Sequence, residues 1–466
     1  MQAMQKLINR KNCSSDSRSL KKGEVFFDLG SDRGQYGKYF YNALRKKPFA
    51  IITQKLNTGE NLSRNIFSVN NINSFYKKSI FQKYKKTPKY KVAVTGTNGK
   101  TSIAYFYYKI LNLLNYRVGS VGTLGIFENN KKNKNNLTTP SFLDNHKIFN
   151  SFYKKKINHS IIEASSHGLK QSRLELIDFH CGIFTNLTHD HLDYHLTMRD
   201  YLNSKMILFK KLVKKNGFVI VNTDVAEFAL LKKIAKAKKL KILSYGTNGN
   251  TIKIISVKVI NNLTQLKINV LGKIYILKLQ LIGKFQIENF LSVILACFSC
   301  GITFEKIFSI SSKINNPPGR MQFVRKNKKF IIIDYAHTPD ALQKTILEIK
   351  SFFKRKVNLV FGCGGNRDQT KRKVMGKIAQ KLCNKIYITD DNPRYEDPKK
   401  IRNQIKAACP SGSVIAPRNL AIKKAIESLK NEILLIAGKG HENYQIIKNK
   451  KISFSASKYC FSSSGL

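Results

Sequence analysis

The sequence predicts an α/β protein built on mostly parallel, doubly wound sheets, and three observations lead to that expectation. From Lys89 onward, short apolar strands alternate with amphipathic helices. The strands of the last third end in loops that carry Gly or Asp, and in open α/β sheets that carboxyl edge is where ligands bind. The 466 residues also exceed what one hydrophobic core organises, so roughly two to four domains are expected.

In chain order, residues 1–88 hold short mixed elements and end in the lysine-rich KYKKTPK, where Pro88 makes a break. KVAVTG then reads as a buried strand, Lys100 to Asn115 as a helix, and SIIEAS and CGIFTNL as strands. A helix over 200–215 and the strand GFVIVN follow. NNPPGR, at 315–320, is the second break, and beyond it FIIIDYA, VNLVFGCGG, KIYITDD and EILLIAGKG alternate with helices. The divisions are therefore 1–88, 89–316 and 317–466.

Composition narrows the function classes. Hydrophobic residues make up 42%, with 29 Phe and 20 Tyr, which is ample core material. No run approaches the roughly 20 apolar residues of a membrane helix, and the N-terminus lacks a secretory apolar stretch. A cytoplasmic protein without a membrane partner is expected. The formal charge of +55 is spread along the whole chain among Asn and Ile. It reads as solvated lysines in a field that attracts anionic substrates, not as a nucleic-acid-binding stripe. Of eight cysteines only Cys297 and Cys300 form a CxxC, inside the apolar ILACFSC with no second pair or histidine nearby, so reduced core cysteines are expected.

The strand KVAVTG runs into Gly96, Thr97, Asn98, Gly99, Lys100, Thr101 and Ser102 and then a helix. Glycines allow the backbone to fold around phosphate oxygens, and the helix start offers free N–H groups. Lys100 can neutralise a β/γ-phosphate, and Thr101 can offer its hydroxyl to Mg²⁺. Val94 stands where the longer GxxxxGK[ST] pattern has its first Gly, so this is a shorter phosphate loop. A nucleotide is the expected ligand. The HDHLDYH segment suggests a metal, but Tyr194 breaks the HxHxDH spacing of metallohydrolases. Capping and loop hydrogen bonds are the expected role of one or two of His189, His191 and His195.

TGTNGKTS resembles the ATP loop of the Mur ligases and of their relatives, the folylpolyglutamate synthetases. The resemblance continues through EASSHGL, NLTHDHLDYH, LIGKFQIEN, GRMQ, DYAHTPDAL, FGCGGNRD, DDNPRYEDP and AGKGHENYQ. With the N-terminal SDSR, these blocks span residues 15 to about 445 and are similar to the third ligase of the Mur series. The resemblance implies three domains: an N-terminal UDP-binding α/β domain, a central P-loop ATPase-like parallel-sheet domain and a C-terminal Rossmann-like domain. It further implies an ATP-dependent ligase of peptidoglycan synthesis that adds meso-diaminopimelate to UDP-N-acetylmuramoyl-L-alanyl-D-glutamate, acting as a monomer.

The same resemblance implies residue roles. Glu163 and His191 bind a second Mg²⁺, and Lys205, 14 residues beyond His191, matches a lysine carried as a carbamate. Such a carbamate approaches the metal as a carboxylate, whereas a bare ammonium repels it. Lys100, Glu163, His191 and Lys205 form the catalytic set, with Thr101 as a further metal ligand. Asn289, Arg320, Asp334 and His337 match nucleotide-contacting positions, Asp334 at the ribose. Asp391, Asn392, Pro393 and Arg394 follow a strand. Pro393 stiffens the turn, and the planar fork of Arg394 suits the distal carboxylate that separates diaminopimelate from lysine. Arg367, Gly438 and Glu442 join that site by resemblance, Glu442 at the distal ammonium. For the UDP precursor the matching positions are Ser15, Ser17, Thr138, Thr139, Ser165, Gln171 and Arg173. The segment from Gly30 to Gly34 departs in length from the family pattern and is assigned nothing.

The chemistry that follows is acyl-phosphate formation. A carboxylate is a poor electrophile, and phosphorylation by ATP gives it a leaving group that the incoming amine displaces. Two departures stand out: Val225 replaces the second acid of an NxDD pair, and Ala456 replaces an expected aspartate. A folylpolyglutamate synthetase is the enzyme alternative, against which the DNPR motif speaks. A catalytically silent basic scaffold is the non-enzyme alternative, opposed by intact Lys100, Glu163, His191 and Lys205.

Overall fold

The computed structural model describes residues 2–31, 35–54, 65–129, 131–133, 135, 137–260, 263–326 and 329–461. Among the described residues, three separate sheets of four, eleven and six strands organise the fold, with a two-stranded hairpin beside the third. Residues 32–34, in the unassigned segment of the N-terminal region, lie outside the described residues.

The N-terminal sheet takes its four parallel strands in sequence order: Cys13–Ser14, Val25–Phe27, Ala50–Gln54 and Ile66–Val69. Its core closes with Tyr76 and Ile80 of the helix Ile72–Lys83, and with Phe142 and Leu143 from the central region.

The central sheet is parallel in its middle and antiparallel at its rims. Tyr90–Thr95 lies between Phe179–Phe184 and His159–Glu163, and Val118–Gly122, Val213–Asn222 and Lys241–Gly246 extend the parallel part. Both faces are covered, as parallel strands require. Helices Lys100–Leu113 and Lys284–Ser299 bring Phe106, Ile110, Phe290 and Ile294 to one face, while Phe149, Phe152 and Phe209 fill the other. Truncating a fully buried ring such as Phe106 to Ala costs about 3–5 kcal/mol. Cys181, Cys297 and Cys300 belong to the first of these cores, and all eight cysteines are free.

Two features of this sheet differ from the sequence expectation. The helix expected over 200–215 runs Met198–Ile207, continues as a π-turn at Leu208–Leu212 and yields at Val213 to a strand reaching Asn222. The wider turn buries Leu208, Phe209 and Leu212, and Val213 then pairs with Phe179. The antiparallel meander Ile252–Ile260, Leu263–Val270 and Lys273–Leu279 was not expected. Its signal is the alternation of LTQLKINV, in which Thr264, Leu266, Ile268 and Val270 face inward.

The C-terminal sheet orders as Gln322–Lys326, Lys329–Asp334, Ile433–Ala437, Val357–Phe361, Ile386–Ile388 and Ser413–Val414, the first antiparallel and the rest parallel. Pairing Asp334 with Ala437 sets the DYAH and GKGH loops side by side at one carboxyl edge. The two departures are accommodated here and in the centre. Ala456 is buried at the start of a helix against Phe454 and Cys460. Val225 packs against the central core, leaving Asp224 to accept from the amide and hydroxyl of Thr247.

Candidate active site

Strand register builds the site. Val94 pairs with Glu163 and Thr95 with Phe184, so the phosphate loop, Glu163 and the segment beginning at Thr185 emerge together at the carboxyl edge. Gly96 has φ +146°, and a Cβ there would lie 1.8 Å from Thr185 Oγ1. Gly99, at φ +92°, would set a Cβ 2.5 Å from Asn289 Oδ1. Only glycine allows this approach. The loop is held by Thr97 N–H donating to Asn186 O (2.9 Å) and Asn98 N–H donating to Asn186 Oδ1 (3.0 Å). Lys100 donates to the carbonyls of Gly96 and Thr97 at 2.7 Å each, which keeps the ammonium over the loop. Burial lowers its pKa, and Glu163 opposes that shift.

Glu163 is buried, accepting from Thr101 Oγ1 (3.0 Å), Thr123 N–H (2.7 Å) and Thr123 Oγ1 (3.2 Å). Desolvation raises its pKa, while those donors and Lys100 pull the other way. Lys205 is equally buried, its ammonium 4.0 Å from the Tyr201 ring centroid. Burial drives its pKa well below the usual lysine value, and Lys100 adds to the shift. His191 sits at φ +54° with its ring 3.5 Å from the Asp190 carboxylate. His195, in contrast, is a buried packing group that meets Ser166 Oγ at 2.9 Å and Asp200 at 3.4 Å, and His189 is exposed.

Among the described residues no three His, Cys, Asp or Glu side chains form a metal cluster. Glu163, the hydroxyls of Thr101 and Thr123, Asp190 and His191 nevertheless line one cleft. An oxygen-rich set of so few protein ligands fits Mg²⁺, which retains waters and substrate phosphates in its shell.

The cleft, of about 600 Å³, continues to the C-terminal sheet. Thr97 through Ser102, Thr138, Glu163, Ser165, His191, Lys205, Asn289, Arg320, Asp334 and His337 all line it. Gly96 is not in the wall, consistent with its buried place beneath the loop. Arg320 stacks on Tyr335, 4.3 Å from the ring centroid. Asp334 is buried, and accepts from Met321 N–H (2.7 Å) and Ala336 N–H (2.8 Å). Its carboxylate thus ties the GRMQ and DYAH segments together within the C-terminal region. His337 approaches the Tyr335 carbonyl at 3.0 Å through Nδ1.

The candidate acceptor residues gather beyond Tyr335, where a Cβ on Gly440 would fall 2.8 Å from the Tyr335 Cβ. Arg394 takes φ +54° and donates to Gly365 O at 2.9 Å, which joins the DNPR and GGNR loops. Arg367 is exposed on the latter. Gly438 turns at φ +108° beside Asp391, and Pro393 is buried between the loops. Asn392 and Glu442 are joined at 3.3 Å. Glu442 pairs through Oε2 with Lys439 at 2.8 Å.

Among the candidate UDP-precursor residues, Ser15 Oγ lies 3.4 Å from Tyr76 OH, and Ser17 is buried. Thr138 Oγ1 lies 3.2 Å from Thr123 Oγ1, in reach of the Glu163 group. Thr139 lies against Ser165, the two hydroxyls 2.9 Å apart. It is fully buried, donates to Glu163 O (2.7 Å) and accepts from Ser165 N–H (3.0 Å), so its hydroxyl shapes the loop. Arg173 holds Gln171 Oε1 at 2.9 Å and Thr139 O at 2.8 Å.

Sequence reasoning missed Thr123, Tyr201, Tyr335, Lys439 and the Arg372–Glu396 pair. Arg372 is fully buried and grips both Glu396 oxygens at 2.6 and 2.7 Å, with Gln404 Oε1 at 2.7 Å. A lysine-rich helix such as TKRKVMGKIAQKL gives little sign of which cation turns inward.

Comparison with known proteins accords with this geometry. Residues 94–297 match the Mur ligase middle domain, and 319–440 match the Mur ligase, glutamate ligase domain. The chain is 39% identical over 459 residues to a UDP-N-acetylmuramoyl-L-alanyl-D-glutamate--2,6-diaminopimelate ligase of Rickettsia bellii (strain RML369-C), covering 96% of this chain and 94% of the relative. A solved structure with the same enzyme name aligns with TM-score 0.69 and 29% identity, over 97% of this chain and 93% of the other. The MurF ligase of Thermotoga maritima in complex with ADP shares the fold, with TM-score 0.65 and 16% identity over 92% and 94% of the two chains. The chain belongs to the Mur ligase family.

Proposed function

We propose that the protein joins meso-diaminopimelate to UDP-N-acetylmuramoyl-L-alanyl-D-glutamate at the expense of ATP, a step of peptidoglycan synthesis. The observation that carries the reading is the meeting, in one cleft, of the Lys100–Thr101 loop with the buried carboxylate of Glu163. It is supported by near full-length similarity to ligases of that name.

The reaction needs three anionic partners brought together. Lys100 and the loop N–H groups orient the terminal phosphate of ATP, with Arg320 and His337 on the opposite wall. The glutamyl carboxylate attacks that phosphate, ADP leaves, and the acyl phosphate formed is the electrophile. The amine of diaminopimelate then attacks the carbonyl carbon, and phosphate departs with one of the former carboxylate oxygens. Arg394 is assigned to the distal carboxylate of the amine. L-lysine lacks that group and would leave the guanidinium without its partner, which is the basis of selection. Thr101, Glu163, His191 and Lys205 as its carbamate would hold Mg²⁺, which screens phosphate charge when bound. The lowered basicity of Lys205 supports the carbamate, because the neutral amine is the form that captures carbon dioxide.

We further assign three domains, 1–88 for the UDP precursor, 89–316 for ATP and 317–466 for the amino acid, a division supported by the three separate sheets. The protein is assigned to the cytoplasm, where ATP is supplied, as a monomer. No described helix is long and apolar enough to cross a membrane.

Ligation assayed side by side with meso-diaminopimelate and L-lysine tests the reading. Strong preference for diaminopimelate is expected, and equal use of both amines overturns the acceptor assignment.

A further inference from the structure

Lys439 is fully buried between two glycines with positive φ, Gly438 at +108° and Gly440 at +49°. That backbone turns its side chain in beneath the loop and away from solvent. Its ammonium donates to Asn392 Oδ1 at 2.7 Å and to Glu442 Oε2 at 2.8 Å, and faces the Tyr444 ring at 5.5 Å. Asn392 Oδ1 also accepts from Ile446 N–H at 2.9 Å, and its Nδ2 donates to the same Glu442 oxygen at 3.3 Å. Two donors on one amide oxygen fix which way Asn392 faces. Two donors on Oε2 likewise fix the Glu442 carboxylate, and among the described residues no hydrogen bond engages Oε1.

We infer that Lys439 is a positioning residue for the acceptor amine: by holding Asn392 Oδ1 and Glu442 Oε2 it turns Glu442 Oε1 toward the incoming ammonium. The inference rests on the assignment of the amino acid to this site. A buried ammonium is tolerated only while its charge and hydrogen bonds are met. Lys439 therefore cannot leave Glu442, and Glu442 is held to one orientation before any ligand arrives. Preorganisation of this kind lowers the KM of the group being held without altering the phosphate chemistry, which occurs at a different loop. The residue touches no reacting atom; it acts through Glu442.

The test is steady-state kinetics of full-length Lys439→Met and Lys439→Gln, with thermal melting and ADP binding measured alongside. Lys439→Met keeps the length and loses the charge and both hydrogen bonds; Lys439→Gln keeps one donor. The expected result is a KM for meso-diaminopimelate raised at least tenfold in the Met variant and by a smaller factor in Gln. The KM values for ATP and the UDP-dipeptide should stay within twofold of the unaltered protein. Preference for diaminopimelate over L-lysine should change less, because both amines carry the distal ammonium and differ only in the carboxylate assigned to Arg394. A diaminopimelate KM within twofold of normal in both variants overturns the inference. A parallel rise of all three KM values does so as well, as does loss of folding in both variants, each indicating a purely structural lysine. Failure of the unaltered protein to use diaminopimelate at all would sink the acceptor assignment instead.

Discussion

Thr101 donates its hydroxyl to Glu163 Oε2 across 3.0 Å, at the foot of the phosphate loop. The two residues lie 62 positions apart and meet because Val94 and Glu163 are paired neighbours on adjacent parallel strands. Lys100 adjoins Thr101, so a cation, a hydroxyl and a buried carboxylate share one wall.

Glu163→Gln keeps the shape and removes the charge. Ligation should fall by about 10²–10⁴, the range for losing a positioned electrostatic group. Folding should survive, because the carboxamide oxygen can accept from Thr123 N–H while its NH₂ donates to the Thr101 and Thr123 hydroxyl oxygens. Phosphate release with all three substrates checks this, and a loss under threefold contradicts it.

Lys205 makes a separate prediction. Its burial favours the neutral amine, and the carbamate account expects labelled bicarbonate to give a carbamate carbonyl resonance in the unaltered protein. Lys205→Ala should lack that resonance and ligate at least about 10²-fold more slowly, as expected for loss of a positioned charge. An active Lys205→Ala variant contradicts the role.

Arg394 is assigned to the distal carboxylate of the acceptor. Arg394→Ala should raise the KM for meso-diaminopimelate by roughly 10–10², equivalent to about 1.5–3 kcal/mol for a lost charge-assisted hydrogen bond. The KM for ATP should not move. Competition between the two amines, read by mass spectrometry of the product, measures the accompanying loss of selectivity.

Arg372 and Glu396 brace the loops that carry Arg367 and Arg394, since Asn366 N–H also donates to Glu396 at 3.1 Å. Removing one partner of a buried pair costs about 3–5 kcal/mol. Arg372→Ala should therefore lower the urea midpoint clearly, and Arg372→Met combined with Glu396→Leu should recover part of the loss. A double variant less stable than the single one contradicts the account.

His146 sets a pH dependence. It is buried among Phe81 and Phe142 and bonded to Glu175 O at 3.1 Å, and burial lowers its pKa to about 4 from 6.5. The unfolded chain takes up the proton near pH 6.5, the folded one only near 4. Stability is thus fully present above pH 6.5 and falls as pH drops toward 4, by up to about 3 kcal/mol. Urea denaturation at stepped pH should show a shallower decline in His146→Gln. Parallel slopes in the two proteins count against the assignment.

Much of the fold was readable from residue pattern alone. The buried strands YKVAVT, FHCGIF and ILLIA are apolar runs, the first and last with glycine at their exits, and the structure has them as parallel strands. The meander was missed because lysines dilute the alternation in IKIISVKVI and KIYILKL. At the site, the glycine loop announced itself, since no other residue tolerates its turns. Glu163 and Lys205 did not: alone they look like any acid or any of many lysines, and only resemblance singled them out. Lys439 escaped for the same reason, because inward orientation is decided by Gly438 and Gly440 and by partners 47 and 3 positions away.

One labelling experiment bears most directly on the ligase account. UDP-dipeptide carrying ¹⁸O in its glutamyl γ-carboxylate is incubated with ATP, Mg²⁺ and meso-diaminopimelate, and the products are read by mass spectrometry. The account predicts UDP-tripeptide together with phosphate that has gained one ¹⁸O from the carboxylate. Absence of tripeptide, or release of unlabelled phosphate, would contradict it.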